Sequence, residues 1–121
     1  MHTYYTRLKV PKDVRPVTLS EFGGYSLKIE NHVYNENKFF GYKKFKTKEA
    51  FVSAIKKLYL SKLLPLIKKG LSAAIYTQVS DVEEEINGLV TYDRKIVKIP
   101  PEEMKALNDA LYEAAENRYS K

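Results

Sequence analysis

A run of apolar residues at helical spacing that leads directly into an uncharged β-prone segment limits the folds open to this chain more than any other feature. Thr47 can cap a helix, apolar residues then recur every three or four positions, and Gly70 provides a stop. Pro65 falls near the end of the pattern and predicts a bend or break in the last turn. Leu71–Val79 follows at once and is typical of a strand buried on both faces.

A strand and a loop precede this helix. Val17–Ser20 is a short β-prone run that ends in a turn at Gly23 and Gly24, where glycine permits backbone angles that other residues resist. The segment from Tyr25 to Lys46 is aromatic, polar and aperiodic, and predicts a long loop.

A second loop and a second helix follow the uncharged strand. The stretch after Ser80 is acidic, and the residues that follow Gly88 predict a short extended segment. Two prolines and two glutamates then predict a helix start. That helix has one apolar face, made of Met104, Leu107, Leu111, Ala114 and Ala115. The order strand, loop, helix, strand, loop, helix predicts an α/β fold with parallel strands and a right-handed crossover.

Composition limits the class of protein. With 121 residues the chain is long enough for one domain, which we assign to residues 17–121 behind an arm at 1–16, and too short for a complete barrel enzyme. It has no Cys, which excludes a disulfide scaffold and a thiolate metal site. It also has no apolar stretch of membrane-spanning length and no apolar core of a signal peptide, so we expect a cytoplasmic protein without a membrane partner.

Charge is divided unequally between the two halves. Residues 1–70 carry 15 Lys+Arg and 5 Asp+Glu, a net of +10, and residues 71–121 carry 6 and 10, a net of −4. The basic half raises the hypothesis of a nucleic-acid-binding module, with Tyr42, Phe45 and Tyr59 as stacking groups. The lysines also stand between the apolar positions of the helical pattern, so a solvated helix face explains them more simply. Nucleic acid is therefore the less favoured partner.

Polar residues collect where the predicted strands end. In parallel sheets chemistry collects at the carboxyl ends of strands, here in residues 21–46 and 78–91. Glu21 stands at the first strand end, where its carboxylate would project into the mouth of the sheet. Tyr76 and Gln78 alternate on the second strand and would share one face.

Metal and cofactor chemistry have little support. The acidic run that includes Asp81 and Glu83 offers oxygen ligands but matches no calcium-loop spacing. His32 has no neighbouring histidine or cysteine, and the Gly23-Gly24 pair is not followed by a phosphate-loop pattern. We therefore predict no cofactor and no metal.

Two segments resemble the end of the catalytic barrel of glycoside hydrolase family 2, the family of β-galactosidases, β-glucuronidases and β-mannosidases. They are TLSEFGGYS (18–26) and LPLIKKGLSAAIYTQVSDVEEEINGLVTYDRKIVK (64–98). In that family the nucleophilic glutamate stands in a Ser/Thr-Glu-aromatic-Gly setting at the end of barrel strand seven. The resemblance therefore implies that Glu21 is the nucleophile of a retaining β-glycosidase.

The resemblance implies a fold as well as a role. The chain is similar to the last quarter of a (β/α)8 barrel, strands seven and eight with their helices. By the strand-end rule, Tyr25, Tyr76, Gln78, Asp81 and Glu83 would then lie near the substrate mouth.

The chain departs from the family pattern at the second catalytic group. The family's acid/base glutamate follows an asparagine at the end of strand four, whereas the Asn35-Glu36 pair here lies after Glu21, in the wrong order. We therefore treat Glu36 as a surface loop residue and expect the isolated chain to be inactive. Family members that act on glucuronides carry Asn-x-Lys before the closing glycine, and Ile86-Asn87-Gly88 has no such lysine, which favours a neutral β-linked sugar.

Partners follow from this interpretation. Two parallel strands leave two open edges, so we expect a homo-oligomer, or docking onto the remainder of a split hydrolase whose barrel the chain completes. The segment Tyr4–Val10 could supply an exchanged strand. The ligand of the parent enzyme would be a β-glycoside.

Overall fold

The computed structural model describes residues 16–41 and 43–119. The predicted arm, with its segment Tyr4–Val10, lies outside the described residues except for Pro16. In the described part of the chain the elements, in order, are β1 (Val17–Gly23), β2 (Tyr25–Leu27), β3 (Lys43–Phe45), α1 (Lys48–Lys57), a π-helical segment (Leu58–Leu63), α2 (Leu64–Lys68), β4 (Leu71–Thr77) and α3 (Pro101–Tyr119). The fold is a small mixed α/β fold.

The strand pair β1 and β4 is the centre of the fold. The strands run parallel, with Val17 opposite Leu71 and Gly23 opposite Thr77, and the continuous helical stretch Lys48–Lys68 lies between them in sequence. This confirms the predicted strand–helix–strand unit with parallel strands. β1 is longer than predicted, because it continues through Glu21 to Gly23.

The crossover helix begins and ends where the sequence predicts. The Thr47 hydroxyl accepts a hydrogen bond from the Ala50 backbone N–H at 3.1 Å, and Gly70 takes a φ of +117° after the last turn. The prediction that Pro65 disturbs the last turn is wrong in position. The hydrogen-bond pattern widens in Leu58–Leu63, before the proline, which itself occupies the first turn of α2.

The hydrophobic core lies on one face of the strand pair. Its members include side chains of both strands, of the crossover helix and of α3: Leu19, Phe22, Leu27, Phe51, Ile55, Leu58, Tyr59, Leu63, Leu66, Leu71, Ile99 and Leu107. The other face is open, since Ala73 is exposed and Ile75 keeps 58% of its surface accessible. The prediction that Leu71–Val79 is buried on both faces is therefore wrong, and the strand itself ends at Thr77.

The segment predicted as a long loop contains a small sheet. β2 and β3 pair in parallel, with Tyr25 opposite Lys43 and Leu27 opposite Phe45. Phe45 packs edge-on against both Tyr25 and Phe51 of α1, with ring centroids 5.3 Å and 6.2 Å apart. These aromatic contacts tie the three-residue strands to the core.

The second loop folds back on itself before α3. Val90 and Val97 form an antiparallel bridge around a tight turn, so the predicted extended segment is a short hairpin-like structure. α3 starts at Pro101 as predicted, and Leu107 and Ala114 on its apolar face are buried. Within the described ranges no helix combines the length and apolar character needed to cross a membrane.

Candidate functional site

Two loops leave the carboxyl ends of β1 and β4 and join above the strand pair. We call residues 24–46 the first loop and residues 78–100 the second loop. Gly24 N–H donates to the Thr77 carbonyl at 2.8 Å, Leu27 N–H donates to the Ile86 carbonyl at 3.3 Å, and Ile86 N–H donates to the Phe40 carbonyl at 2.9 Å. The loops therefore hold each other through backbone hydrogen bonds and form one mouth at the strand ends.

Glu21 lies in an irregularity of β1. Leu19 is paired with Ala74 and Phe22 with Tyr76, so Ser20 and Glu21 together oppose the single residue Ile75. Such a bulge leaves one residue out of the regular ladder and redirects a side chain, and bulges are common beside active sites. Leu19 and Phe22 both reach the core, while the Glu21 side chain is only half-buried.

Tyr76 belongs to the core rather than to an open pocket. Its ring stands edge-on to Phe22 at a centroid distance of 5.3 Å and lies 6.4 Å from the ring of Tyr59. The Tyr76 ring also explains Gly23, because a Cβ there would come within 2.5 Å of that ring and the Gly23 φ is +93°. Tyr25 is half-buried, and its ring packs on Phe45 in the small sheet.

Gln78 begins a chain of side-chain hydrogen bonds at the start of the second loop. Its Nε2 donates to Asn87 Oδ1 at 2.6 Å, and Asn87 Nδ2 donates to Glu85 Oε1 at 3.1 Å. Two backbone bonds, from Gln78 to Asn87 and from Leu89 back to Gln78, close the same loop. The prediction that Tyr76 and Gln78 share one face of a strand is wrong. Gln78 lies beyond the last residue of β4, and its side chain is hydrogen-bonded to Asn87.

Asp81 forms a buried ion pair with Lys98. Lys98 Nζ lies 2.7 Å from Asp81 Oδ1 and donates to the Ile86 carbonyl at 3.0 Å, and Gly88 N–H donates to the same carboxylate oxygen at 2.8 Å. Among the described residues Asp81 Oδ2 has no hydrogen-bond partner, although it is buried. Burial raises the pKa of the Asp81 carboxyl and lowers the pKa of the Lys98 ammonium, because a charge loses its hydration there.

The acidic run does not converge on a metal. Asp81 points inward to Lys98, Glu83 is exposed at a backbone φ of +50°, and Glu85 accepts from Asn87. In the described part of the chain no three His, Cys, Asp or Glu side chains are grouped closely enough to hold an ion. Glu36 lies at the surface, where it pairs with Lys28 at 3.0 Å.

The aromatic residues predicted to stack on bases are largely unavailable. Tyr59 is 3% exposed, and burial raises the pKa of its hydroxyl. Phe45 is packed between two other rings, and Tyr42 lies outside the described residues.

Sequence reasoning did not predict the contacts of three side chains in these loops. The first is His32, whose Nδ1 lies 2.8 Å from Asp93 Oδ2, so that it joins the first loop to the second. The others are Lys98 and Asn87. A lysine between Val97 and Ile99 in an otherwise apolar stretch was an available signal for burial, whereas nothing local marks a contact between His32 and a residue 61 positions away.

Comparison with models of known protein families gives no match for this chain. A search of curated proteins gives no match either.

Proposed function

We propose that the chain is the part of a retaining β-glycosidase barrel that supplies the catalytic nucleophile, Glu21. The observation that carries the proposal is the position of this carboxylate in a bulge of β1, two residues before the strand ends, beside the parallel strand β4. A strand-end carboxylate beneath two joined loops is the arrangement from which barrel enzymes build their sites.

The open face of the strand pair supports a barrel origin. In a closed barrel one face of each strand contacts the helices and the other faces the packed interior. Here the core covers the helix side, while Ala73 and Ile75 stay exposed on the opposite side. Further strands of a barrel would cover that face of the strand pair.

A retaining mechanism assigns Glu21 one half of the chemistry. Its carboxylate would attack the anomeric carbon and form a covalent glycosyl intermediate, while a second carboxyl group about 5 to 5.5 Å away protonates the leaving oxygen and then activates water. Glu36, the only glutamate preceded by asparagine, is tied to Lys28 at the surface. The acid/base group would therefore come from the remainder of the barrel.

A neutral sugar fits the charges at this mouth. Lys98 Nζ donates to the carbonyl of Ile86, two residues before Gly88. That ammonium is buried and neutralised by Asp81, so it offers no free cation to a uronic acid. A galactoside, glucoside or mannoside remains the preferred substrate class.

Complementation tests this function. The chain is co-expressed with strands one to six of a family 2 glycosidase barrel, and hydrolysis of nitrophenyl β-glycosides is compared for the wild type and Glu21→Gln. We expect activity only in the mixture, and we expect Glu21→Gln to lower it by roughly three orders of magnitude or more, since the whole catalytic route depends on the nucleophile.

Glu49→Gln provides the matched control, because Glu49 is an exposed glutamate in the first turn of α1 and undergoes the same chemical change. Full activity in Glu21→Gln mixtures would refute the nucleophile assignment. Hydrolysis by the chain alone that disappears in Glu21→Gln would mean that a homo-oligomer supplies both carboxyl groups, and the proposed division of the site would be wrong.

A further inference from the structure

The two loops carry a second group of side chains that the proposed chemistry does not use. His32 of the first loop and Asp93 of the second loop are 2.8 Å apart, Nδ1 to Oδ2. Tyr34 and Tyr92, each close in sequence to one member of that pair, have ring centroids 6.1 Å apart and an interplanar angle of 89°. Both loops thus contribute one ring and one hydrogen-bonding partner to the same patch.

The carboxylate fixes the orientation of the imidazole. Asp93 accepts from Thr91 Oγ1 at 2.6 Å, from the Lys95 backbone N–H at 3.1 Å and from His32. These donors hold the pKa of the Asp93 carboxyl well below its ordinary value, so it stays a carboxylate and keeps the His32 Nδ1 proton facing it. Among the described residues His32 Nε2 has no hydrogen-bond partner, and the side chain is 28% exposed.

The two tyrosines present apolar surface to solvent. Tyr34 is 57% exposed and Tyr92 is 39% exposed, whereas the buried side chains of the core cluster are at most 8% exposed. The two rings stand at right angles and form a corner. An aromatic face carries slight negative charge and attracts weakly positive C–H groups, such as those on the flat side of a pyranose ring.

The surrounding charges cancel. Residues 28–36 and 91–95 together contain three Lys or Arg side chains and three Asp or Glu side chains. Lys28 is paired with Glu36 at 3.0 Å and with Glu30 at 3.6 Å, and Asp93 is held by its donors. A nucleic-acid backbone needs a surplus of cations, whereas a neutral hydroxylated ring needs an apolar face and a few fixed hydrogen-bonding atoms.

We infer that Tyr34, Tyr92 and His32 form a binding subsite for a sugar unit. One tyrosine face stacks on the C–H side of the ring, and His32 Nε2 accepts a hydrogen bond from a ring hydroxyl. The choice of a sugar rests on the proposed glycosidase function, for which the subsite would hold a unit of the substrate outside the position attacked by Glu21. The site itself needs neither Glu21 nor the missing acid/base group.

Titration of the isotope-labelled full chain tests the subsite directly. Amide and imidazole resonances are followed by NMR while methyl β-galactoside, methyl β-glucoside, methyl β-mannoside or a β-linked disaccharide is added up to about 100 mM, a range that covers affinities weaker than millimolar. We expect saturable shifts at His32, Tyr34 and Tyr92 with one of these ligands. Tyr34→Ala combined with Tyr92→Ala should weaken binding at least tenfold, and His32→Gln should weaken it severalfold.

Two controls separate lost contacts from lost structure. Tyr112→Ala removes a ring that is 72% exposed on α3 and should leave the affinity unchanged. Tyr34→Phe with Tyr92→Phe keeps both rings and should retain most of the binding. Unchanged core resonances of Phe51 and Ile55 in each variant show that the fold is intact.

Three results would overturn the subsite: no saturable shift with any of the sugars, equal binding after removal of both rings, or salt-sensitive binding of a single-stranded oligonucleotide in place of sugars. The outcome is independent of the complementation experiment. Sugar binding without complementation would keep the subsite and refute the glycosidase function, whereas complementation without sugar binding by this patch would do the reverse.

Discussion

At the scale of single residues, the buried Asp81–Lys98 ion pair joins the start of the second loop to its end. Its two side chains are 1% and 0% exposed, and both pKa shifts run against the charged forms. The pKa of Asp81 is near 3.8 in the unfolded chain and higher in the folded protein. The folded protein therefore loses stability as the pH rises from the lower pKa through the higher one. The pKa of Lys98 is near 10.5 in the unfolded chain and lower in the folded protein. The folded protein therefore loses stability as the pH drops from 10.5 through the lower pKa. At neutral pH the pair therefore costs more in lost hydration than it returns in attraction.

Replacing one partner of the ion pair should lower the free energy of unfolding far more than replacing both partners. We expect Lys98→Met to lower the free energy of unfolding by about 3–5 kcal/mol at pH 7, because it leaves a buried carboxylate unpaired. The double variant with Asp81→Asn should lie within about 2 kcal/mol of the wild type, since the amide can still accept from Gly88. Urea denaturation of the three proteins measures both values.

The pH dependence provides the check on this prediction. Acidification to about pH 5 should reduce the deficit of Lys98→Met, because the unpaired carboxyl of Asp81 takes up a proton and loses its charge. A deficit that is the same at both pH values, or a double variant as unstable as the single one, would contradict a charge-based explanation.

At the scale of elements, two glycines stabilise the fold for different reasons. A Cβ at Gly88 would overlap the backbone of Ser80 and Asp81, while a Cβ at Gly70 would meet nothing within 4 Å. Gly70 is required instead by its φ of +117°. One glycine permits close packing within the second loop, and the other permits the turn between α2 and β4.

We expect both alanine substitutions to destabilise the protein, Gly70→Ala by about 1–3 kcal/mol from backbone strain and Gly88→Ala by a similar or larger amount from overlap. The difference appears in NMR spectra. Gly88→Ala should displace the resonances of Asp81 and Lys98, while Gly70→Ala should leave them in place. Undisturbed second-loop resonances in Gly88→Ala would show that the loop accommodates the methyl group.

The sequence predicted the elements that depend on local patterns. The capped helix that starts after Thr47, the strand that starts at Leu71 and the helix that starts at Pro101 all follow from periodicity, caps and stops in the sequence itself. β2 and β3 were not predicted, because a three-residue strand is too short to show a period in the sequence, and the contact of Phe45 with Phe51 joins residues of different elements.

The candidate site was predictable only in outline. The strand-end rule and the family resemblance selected Glu21, but the bulge that sets its surroundings depends on how β1 meets β4 and has no local signature. The sequence analysis places Asp81 near the substrate mouth, and nothing local indicates its ion pair with Lys98, which lies 17 residues away. Likewise, the pairing of His32 with Asp93 arises only when two distant loops fold together.

At the scale of the whole molecule, the open face of β4 provides a surface for association. Ile75 of β4 is 58% exposed, and Val79, two residues after the strand ends, is 75% exposed. Within the described residues β1 and β4 form a sheet of two strands. An exposed apolar face favours association with another copy or with further strands of a barrel.

Charge on that face should abolish self-association. We expect the wild-type chain to sediment as an oligomer and Ile75→Lys to sediment as a monomer, because a lysine on the open face would be buried unpaired in the interface. Tyr112→Lys places the same charge on an exposed aromatic position of α3 and should not change the oligomeric state. A wild-type protein that is monomeric and well folded in sedimentation velocity would contradict this prediction.

The pairing of Val17 with Leu71 also has a consequence for synthesis of the chain. The two residues are 54 positions apart, since 71 − 17 = 54. A ribosome that adds about 5–20 residues per second would leave β1 without its partner for roughly 3–11 s. Thr18, Ser20 and Glu21 make that waiting strand half polar, which lowers the tendency of its free edge to capture a neighbouring nascent chain.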